Sequence, residues 1–87
     1  MRHFYIAVIT ASAATEQKIN TKHEVTLQEV REAAVLTEVD ARWEEDPDRG
    51  GRLLVVGTSY SGRVLNIVLY PVDVEDGTWE LATAMPR

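Results

Sequence analysis

Residues 52–70, RLLVVGTSYSGRVLNIVLY, constrain the fold more than any other part of the chain. Two runs rich in Val, Ile and Leu are separated by a few residues that end in Gly62. Runs of this composition favour β-strands, and a short gap containing glycine favours a hairpin between them. The segment therefore predicts two antiparallel strands around which the remaining elements are organised.

The length of the hairpin loop decides which side chains share a face, and two lengths compete. A two-residue loop would consist of Ser61 and Gly62, and Ser-Gly is weaker than Asn-Gly in a type I′ turn. A three-residue loop adds Tyr60 and places the glycine where a left-handed residue must close the turn. We favour the three-residue loop, because glycine has no Cβ to clash in that conformation.

In the three-residue register the side chains divide into two faces, because they alternate along each strand. The first face is aliphatic and predicted to be core: Leu53, Val55, Leu65, Ile67 and Leu69. The second face is mixed: Arg52, Leu54, Val56, Thr58, Val64, Asn66, Val68 and Tyr70. We expect this second face to be the working surface, left uncovered by helices.

The rest of the chain predicts two helices and three further strands. Thr26 and Glu29 have the spacing of a capping box, with Val25 and Val30 placed as a hydrophobic staple. The predicted elements are a strand at 3–10, a helix at 11–22 with Ala14 and Ile19 as its apolar stripe, and a helix from Thr26 to about Leu36 with Leu27, Val30 and Ala34 on one face. A half-exposed strand at 39–45, loops at 46–51 and 71–77, and a strand at 78–84 with Trp79, Leu81 and Thr83 on one side follow.

This order, β-α-α-β-β-β-β, predicts an α+β fold with two helices packed on one face of an antiparallel sheet. The 87 residues suit one domain, 1–87, which can bury enough surface to be stable without metal or disulfide. The absence of cysteine excludes disulfides, thiolate metal sites and a cysteine nucleophile. No apolar run is long enough for a secretion signal or a membrane span, so we expect a cytoplasmic protein without membrane contact.

The net charge of −5 is concentrated in one segment. Residues 37–50 contain six acids and two bases, a net −4, so the remainder of the chain is nearly neutral. An acidic protein is an unusual nucleic-acid binder, although a basic groove can exist away from this segment. The segment is either a solvated surface or a binding site for a basic partner.

Signatures of known chemistry are missing from the sequence. It contains no GxxxxGK[ST], GxGxxG, GxSxG or HExxH motif, and its histidines and acids lack metal-site spacing. The remaining candidates are scattered cations and one histidine: Lys18, Lys22, His23, Arg52, Arg63 and Arg87. His23 can serve as a general acid or base, or it is simply a turn histidine. Arg52 and Arg63 contact phosphate, or they are charges that discourage edge pairing.

Four short motifs follow one another along the chain: Lys22-His23, VTLQEVREA at 25–33, the segment 52–70, and TAMPR at 83–87. Together they resemble the BrnT-type toxins of bacterial toxin–antitoxin pairs, which have a RelE-like fold. The chain departs from that pattern at Glu24, where the family often has glycine, and at Met85, where it has arginine.

The resemblance implies a cytoplasmic, metal-independent ribonuclease that inhibits translation without a cofactor. It implies two partners, an RNA substrate and a DNA-binding antitoxin protein. Catalysis is assigned to Lys22, His23, Arg52 and Arg63, and RNA contacts are expected at Arg87, Tyr70, Asn66 and Lys18. In such a reaction His23 would move protons, and the other cations would stabilise charge on the phosphorane.

The charge distribution favours a different hypothesis. In it the chain is a binding module of the same fold without catalytic activity, and it engages a protein partner through the acidic segment 37–50. Loss of partner binding on neutralisation of Glu44, Glu45 and Asp46 would distinguish it from the ribonuclease.

Overall fold

The computed structural model describes residues 4–48 and 50–87, which form two helices and a five-stranded mixed sheet. The fold is therefore α+β. The elements are β1 (Val8–Thr10), α1 (Ala13–His23), α2 (Leu27–Ala34), β2 (Asp40–Asp46), β3 (Gly50–Thr58), β4 (Val64–Asp73) and β5 (Thr78–Pro86). His3, at the predicted start of the first strand, and Arg49, in the acidic segment, lie outside the described residues.

The strands are arranged in the order β1-β5-β4-β3-β2. Strands β2 to β5 form an antiparallel meander, but β1 pairs with β5 in parallel, from Val8 beside Thr78 to Thr10 beside Glu80. The prediction of a purely antiparallel sheet is wrong at this edge. A strand of three residues carries no pattern that indicates its direction. The chain between β1 and β5 contains both helices and strands β2 to β4, so it is long enough for either direction of pairing.

The hairpin of β3 and β4 has the predicted three-residue loop. Thr58 pairs with Val64, and the Ser59 amide donates to the Arg63 carbonyl oxygen over 2.9 Å. The Gly62 amide donates back to the Ser59 carbonyl oxygen, also over 2.9 Å, and Gly62 has a φ of +88°. The two-residue alternative is excluded, because Ser59 and Arg63 flank the loop.

The predicted division of the hairpin into two faces is confirmed. Each member of the aliphatic face is buried: Leu53, Val55, Leu65, Ile67 and Leu69. Helix α1 packs against β5, and α2 packs against β3 and β4 on this same face. On the opposite face, the open face, Arg52, Leu54 and Val56 remain half-buried, as do the residues opposite them on β4.

Local signals place the helix boundaries. The Ser12 hydroxyl accepts the Thr15 amide over 3.1 Å and begins α1 two residues later than predicted. Within α1 only Ile19 is buried, so the expected contribution of Ala14 to the apolar stripe is wrong. At α2 both hydrogen bonds of the Thr26–Glu29 capping box are present, and the helix ends at Ala34 rather than near Leu36.

A β-bulge in β5 changes one predicted side-chain direction. Leu69 pairs with Leu81, whereas Val68 pairs with Thr83, so the residue between them on β5 is extra. An extra residue reverses the alternation beyond it. Trp79 and Leu81 lie on one side as predicted, and that side is buried, but Ala84 rather than Thr83 joins them there. Strand β4 also continues to Asp73, so the loop predicted at 71–77 is shorter than expected.

Helix α2 approaches the sheet so closely that Gly57 cannot carry a side chain. An added Cβ would lie 2.2 Å from the Ala33 carbonyl oxygen, which is helix backbone and cannot move aside cheaply. We therefore expect Gly57→Ala to lower the free energy of unfolding by about 3 kcal/mol. The measurement is urea unfolding followed by circular dichroism. Thr58→Ala, at the exposed neighbour, is the control and should change stability by less than about 0.5 kcal/mol; equal stabilities would contradict this packing of α2.

Candidate functional site

The predicted site residues lie on two different sides of the sheet. Arg63 is in phase with the buried face of β4 and reaches the end of α1, where Lys22 and His23 are located. Arg52 is in phase with the open face of β3 and contacts β2. The expectation that Arg52 lies beside Lys22 and His23 is therefore wrong. Alternation along paired strands sends the two arginines in opposite directions.

Arg63 joins the hairpin to both helices. Its Nη1 donates to the Glu24 carbonyl oxygen over 2.7 Å, and its Nη2 donates to the His23 carbonyl oxygen over 2.9 Å. Its Nη1 also lies 3.3 Å from Oε2 of Glu29. Helix α1 ends because Glu24 is left-handed, with a φ of 54°, and its last carbonyl groups need donors outside the helix. Arg63 supplies those donors and places positive charge at the negative end of the helix dipole.

The other cations near the end of α1 are on the surface. Lys18 and Lys22 are exposed, while His23 is half-buried. The structure thus brings Lys22, His23 and Arg63 together, and it leaves Arg63 engaged with protein oxygens. An incoming phosphate would compete with these contacts for the same guanidinium.

Arg52 is engaged by an acid on the open face. Its Nε donates to Oε1 of Glu44 over 3.1 Å, and its Nη2 contacts the same oxygen. The hydrogen bond to Glu44, followed by the charge of Glu44, raises the pKa of Arg52 above its usual value. Arg42 also approaches Glu44, with 3.9 Å between Nη2 and Oε2. Glu44 is therefore the centre of a small ion-pair network between β2 and β3.

A shallow depression of about 310 Å³ lies on the open face beside this network. Its lining consists of Asp40, Arg42, Leu54, Val56 and Arg87. The Arg87 amide donates to the Val64 carbonyl oxygen over 2.8 Å, which holds the end of the chain against β4. Asn66 and Tyr70, also predicted to contact RNA, lie on the same face of β4.

Strand β2 forms one edge of the sheet and coincides with the acidic segment. Among the described strands it has β3 as a neighbour on one side, and its other backbone edge is unpaired. Seven residues, DARWEED, are involved. Asp40 and Glu44 point to the open face, whereas Glu45 shares the other face with Trp43. The sequence indicated this acidic strand, but its position at the edge follows from the strand order.

Three aromatic residues form a cluster that the sequence did not reveal. Phe4 and Trp43 are stacked with ring centroids 6.0 Å apart. Trp79 forms a T-shaped pair with each of them, with interplanar angles of 73° and 65°. Strand alternation predicted the directions of Trp43 and Trp79. Their meeting with Phe4 depends on the parallel pairing of β1, for which the sequence carries no signal.

Two further features bear on the candidate functions. Within residues 4–48 and 50–87, no three His, Cys, Asp or Glu side chains come together as metal ligands. In the same part of the chain, no helix has the length and apolar character that crossing a membrane requires.

Comparison with known proteins leaves the family open. No protein-family model, no curated protein and no solved structure matches this chain. The resemblance to BrnT-type toxins accordingly rests on the four short motifs alone.

Because Arg63 and Arg52 have different hydrogen-bond partners, we expect their removal to lower the free energy of unfolding by different amounts. Arg63→Ala deprives two helix-end carbonyl groups and Glu29 of their donor, and we expect it to lower the free energy of unfolding by about 2 kcal/mol. Arg52→Ala breaks a half-exposed ion pair and should cost clearly less than Arg63→Ala, because exposed ion pairs contribute little to stability. Parallel urea titrations of the two variants measure the difference. A larger loss for Arg52→Ala would contradict the docking role of Arg63.

Proposed function

We propose that the chain is a protein-binding module that pairs β2 with an extended, basic segment of a partner. The observation that carries the proposal is the unpaired outer edge of β2, a seven-residue strand within the most acidic segment of the chain. An exposed sheet edge binds peptides by adding a strand, in which backbone hydrogen bonds supply affinity and alternate side chains supply specificity.

The side chains of β2 define the partner by charge. Asp40, Glu44 and Asp46 lie on the open face, with Arg42 between the first two, and Glu45 lies on the opposite face. A partner strand beside β2 would place its side chains about 5 Å from these acids. Lysine or arginine at alternate positions would therefore meet opposite charge along most of the strand.

The same charges work against pairing of two copies of this chain. Acidic residues on an edge strand repel an identical strand, which is one way in which proteins avoid aggregation through sheet edges. A basic strand experiences attraction where a second copy experiences repulsion. The acidic side chains of β2 therefore favour a basic partner strand over a second copy of this chain.

Ion pairing within the protein leaves much of the acidic charge available. Glu44 is balanced by Arg52. Asp46 uses Oδ1 to accept the Asp48 amide over 2.9 Å, a bond that shapes the loop and does not neutralise the carboxylate. Glu45 accepts a neutral indole N–H from Trp43, also over 2.9 Å. Negative charge on the strand therefore persists and attracts a basic segment.

Strand addition can be tested with a short peptide of alternating lysine and valine. We expect it to slow hydrogen exchange and shift amide signals along β2 in NMR spectra, because the outer edge gains backbone hydrogen bonds. Two control peptides isolate the causes. Methylation of every backbone amide keeps the charge but removes the hydrogen-bond donors of both strand edges, and replacement of lysine by glutamate keeps the backbone but reverses the charge. Equal binding of the methylated peptide would show that charge alone acts and would overturn strand addition.

A matched pair of protein variants tests the acids. The combination Glu44→Gln, Glu45→Gln and Asp46→Asn should weaken binding of the lysine peptide at least about tenfold at low salt. The combination Glu16→Gln, Glu75→Gln and Glu80→Gln changes net charge equally at exposed positions outside β2 and should have a much smaller effect. Equal losses in the two sets would mean that the attraction belongs to the whole molecule.

A ribonuclease of the RelE-like class is the second candidate function. The observation that favours it is the position of Lys22, His23 and Arg63 around the end of α1, where the guanidinium lies 2.9 Å from the His23 carbonyl oxygen. In this proposal His23 acts as the general acid or base and Lys22 faces the phosphate. The acidic edge of β2 would then be the surface that the antitoxin covers.

Cleavage of RNA by the purified protein in the presence of a chelator tests this candidate. We expect His23→Ala to slow cleavage at least about a hundredfold, because a positioned proton-transfer group contributes that much. His3→Ala, at the other histidine of the sequence, is the control. Intact RNA with the wild-type protein, or equal rates for the two variants, would reject the ribonuclease.

A further inference from the structure

A pocket with aromatic walls lies at the end of the sheet formed by the start of β5 and the last part of β2. It has a volume of about 280 Å³ and is lined by Phe4, Trp43, Glu45, Val74 and Trp79. Pockets that hold drug-sized ligands begin at about 300 Å³, so this pocket suits a smaller group. The pocket shares Glu45 with the strand-binding surface, but its aromatic walls belong neither to that surface nor to the candidate ribonuclease site.

The walls of the pocket are fixed by contacts outside it. The Trp43 ring lies against Gly51, where an added Cβ would come within 1.8 Å of the indole. Trp79 is fully buried and donates from Nε1 to the Tyr5 carbonyl oxygen over 2.9 Å. Phe4 stands nearly parallel to Trp43, with an angle of 13° between the rings. Side chains held in this way lose little freedom when a ligand binds.

Glu45 provides charge at the wall. Its Oε1 accepts the Trp43 Nε1–H over 2.9 Å, which holds the carboxylate beside the indole. A carboxylate has about four acceptor positions, so this bond leaves capacity for a cation. Phe4 and Trp43 are half-buried, whereas Trp79 at the base is fully buried.

Two acidic stretches border the pocket. Glu45 belongs to the sequence Glu44-Glu45-Asp46, and Val74 belongs to the sequence Asp73-Val74-Glu75-Asp76, which runs from the end of β4 into the turn before β5. The acids of the turn are exposed. Their summed field lowers the free energy of a cation in the pocket and raises that of an anion.

From these features we propose that the pocket binds an alkylammonium group. Aromatic faces attract a cation through their quadrupole, tryptophan most strongly, and a neighbouring carboxylate adds direct charge attraction. The methyl or methylene groups of such a cation contact the apolar lining of the pocket, which a metal ion would leave uncovered. The group can come from a free quaternary amine or from the side chain of a lysine, methylated or not.

The test uses choline and its neutral carbon isostere, dimethylbutanol, in which a tert-butyl group replaces trimethylammonium. The two molecules have nearly the same shape, so any difference in affinity measures the charge. The indole N–H signals of Trp43 and Trp79 in NMR spectra report binding. We expect choline to shift the Trp43 signal to saturation and dimethylbutanol to bind at least about threefold more weakly. Equal affinities, or no saturable shift with choline, would overturn the proposal.

Two variants separate the effect of Glu45 on choline binding from the effect of the net charge of the protein. Glu45→Gln keeps an oxygen that can accept the Trp43 N–H but removes the charge, and it should weaken choline binding about threefold to tenfold. Glu16→Gln, on α1, changes net charge equally and should leave affinity unaltered. Equal losses in the two variants would contradict a role for Glu45.

The source of the cation is decided by a second titration. Blocked lysine and blocked trimethyllysine are compared with choline through the same Trp43 signal. Tighter binding of either amino acid identifies a side chain as the occupant, and tighter binding of choline identifies a free amine. Choline has no backbone and cannot pair with β2, so failure of this proposal and failure of strand addition are separately observable.

Discussion

The pairing of β3 with β4 is the constraint on which the other features of this domain depend. Its loop closes at Gly62 with a positive φ, which any side chain would strain, and the register that results sends Leu53 and Leu65 to the core together. A shift of one residue would bury Arg52 beneath the helices and expose the aliphatic face. Both the stability of the core and the position of every surface charge on the hairpin follow from this turn.

The alternation of side chains along the hairpin gives Arg63 and Arg52 different partners. Arg63 faces the helices and satisfies carbonyl groups that the end of α1 leaves without partners. Arg52 faces the open side and balances Glu44 on the edge strand. Both arginines are positively charged and belong to the same hairpin, but Arg63 fixes the helices and Arg52 balances charge on the surface. This separation means that the two arginines do not share one site.

Negative charge and aromatic surface meet at the edge of the sheet. Trp43 and Glu45 are neighbours on one face of β2, joined by a hydrogen bond of 2.9 Å, and they border the aromatic pocket. Their strand also has an unpaired backbone edge among the described strands. The acids of β2 therefore act on both surfaces, and each proposed ligand is a cation because the local field is negative.

Local interactions within the sequence determined the helix caps, the hairpin loop and the alternation of β2, β3 and β4. The Thr26–Glu29 capping box and the left-handed Gly62 involve residues close in sequence, so composition and spacing suffice to predict them. Tertiary structure alone decided the parallel direction of β1, the bulge that turns Thr83 away from the core, and the edge position of β2. It also decided the aromatic cluster and the separation of the cations. These features join segments far apart in the chain, and their energies depend on packing that no short pattern records.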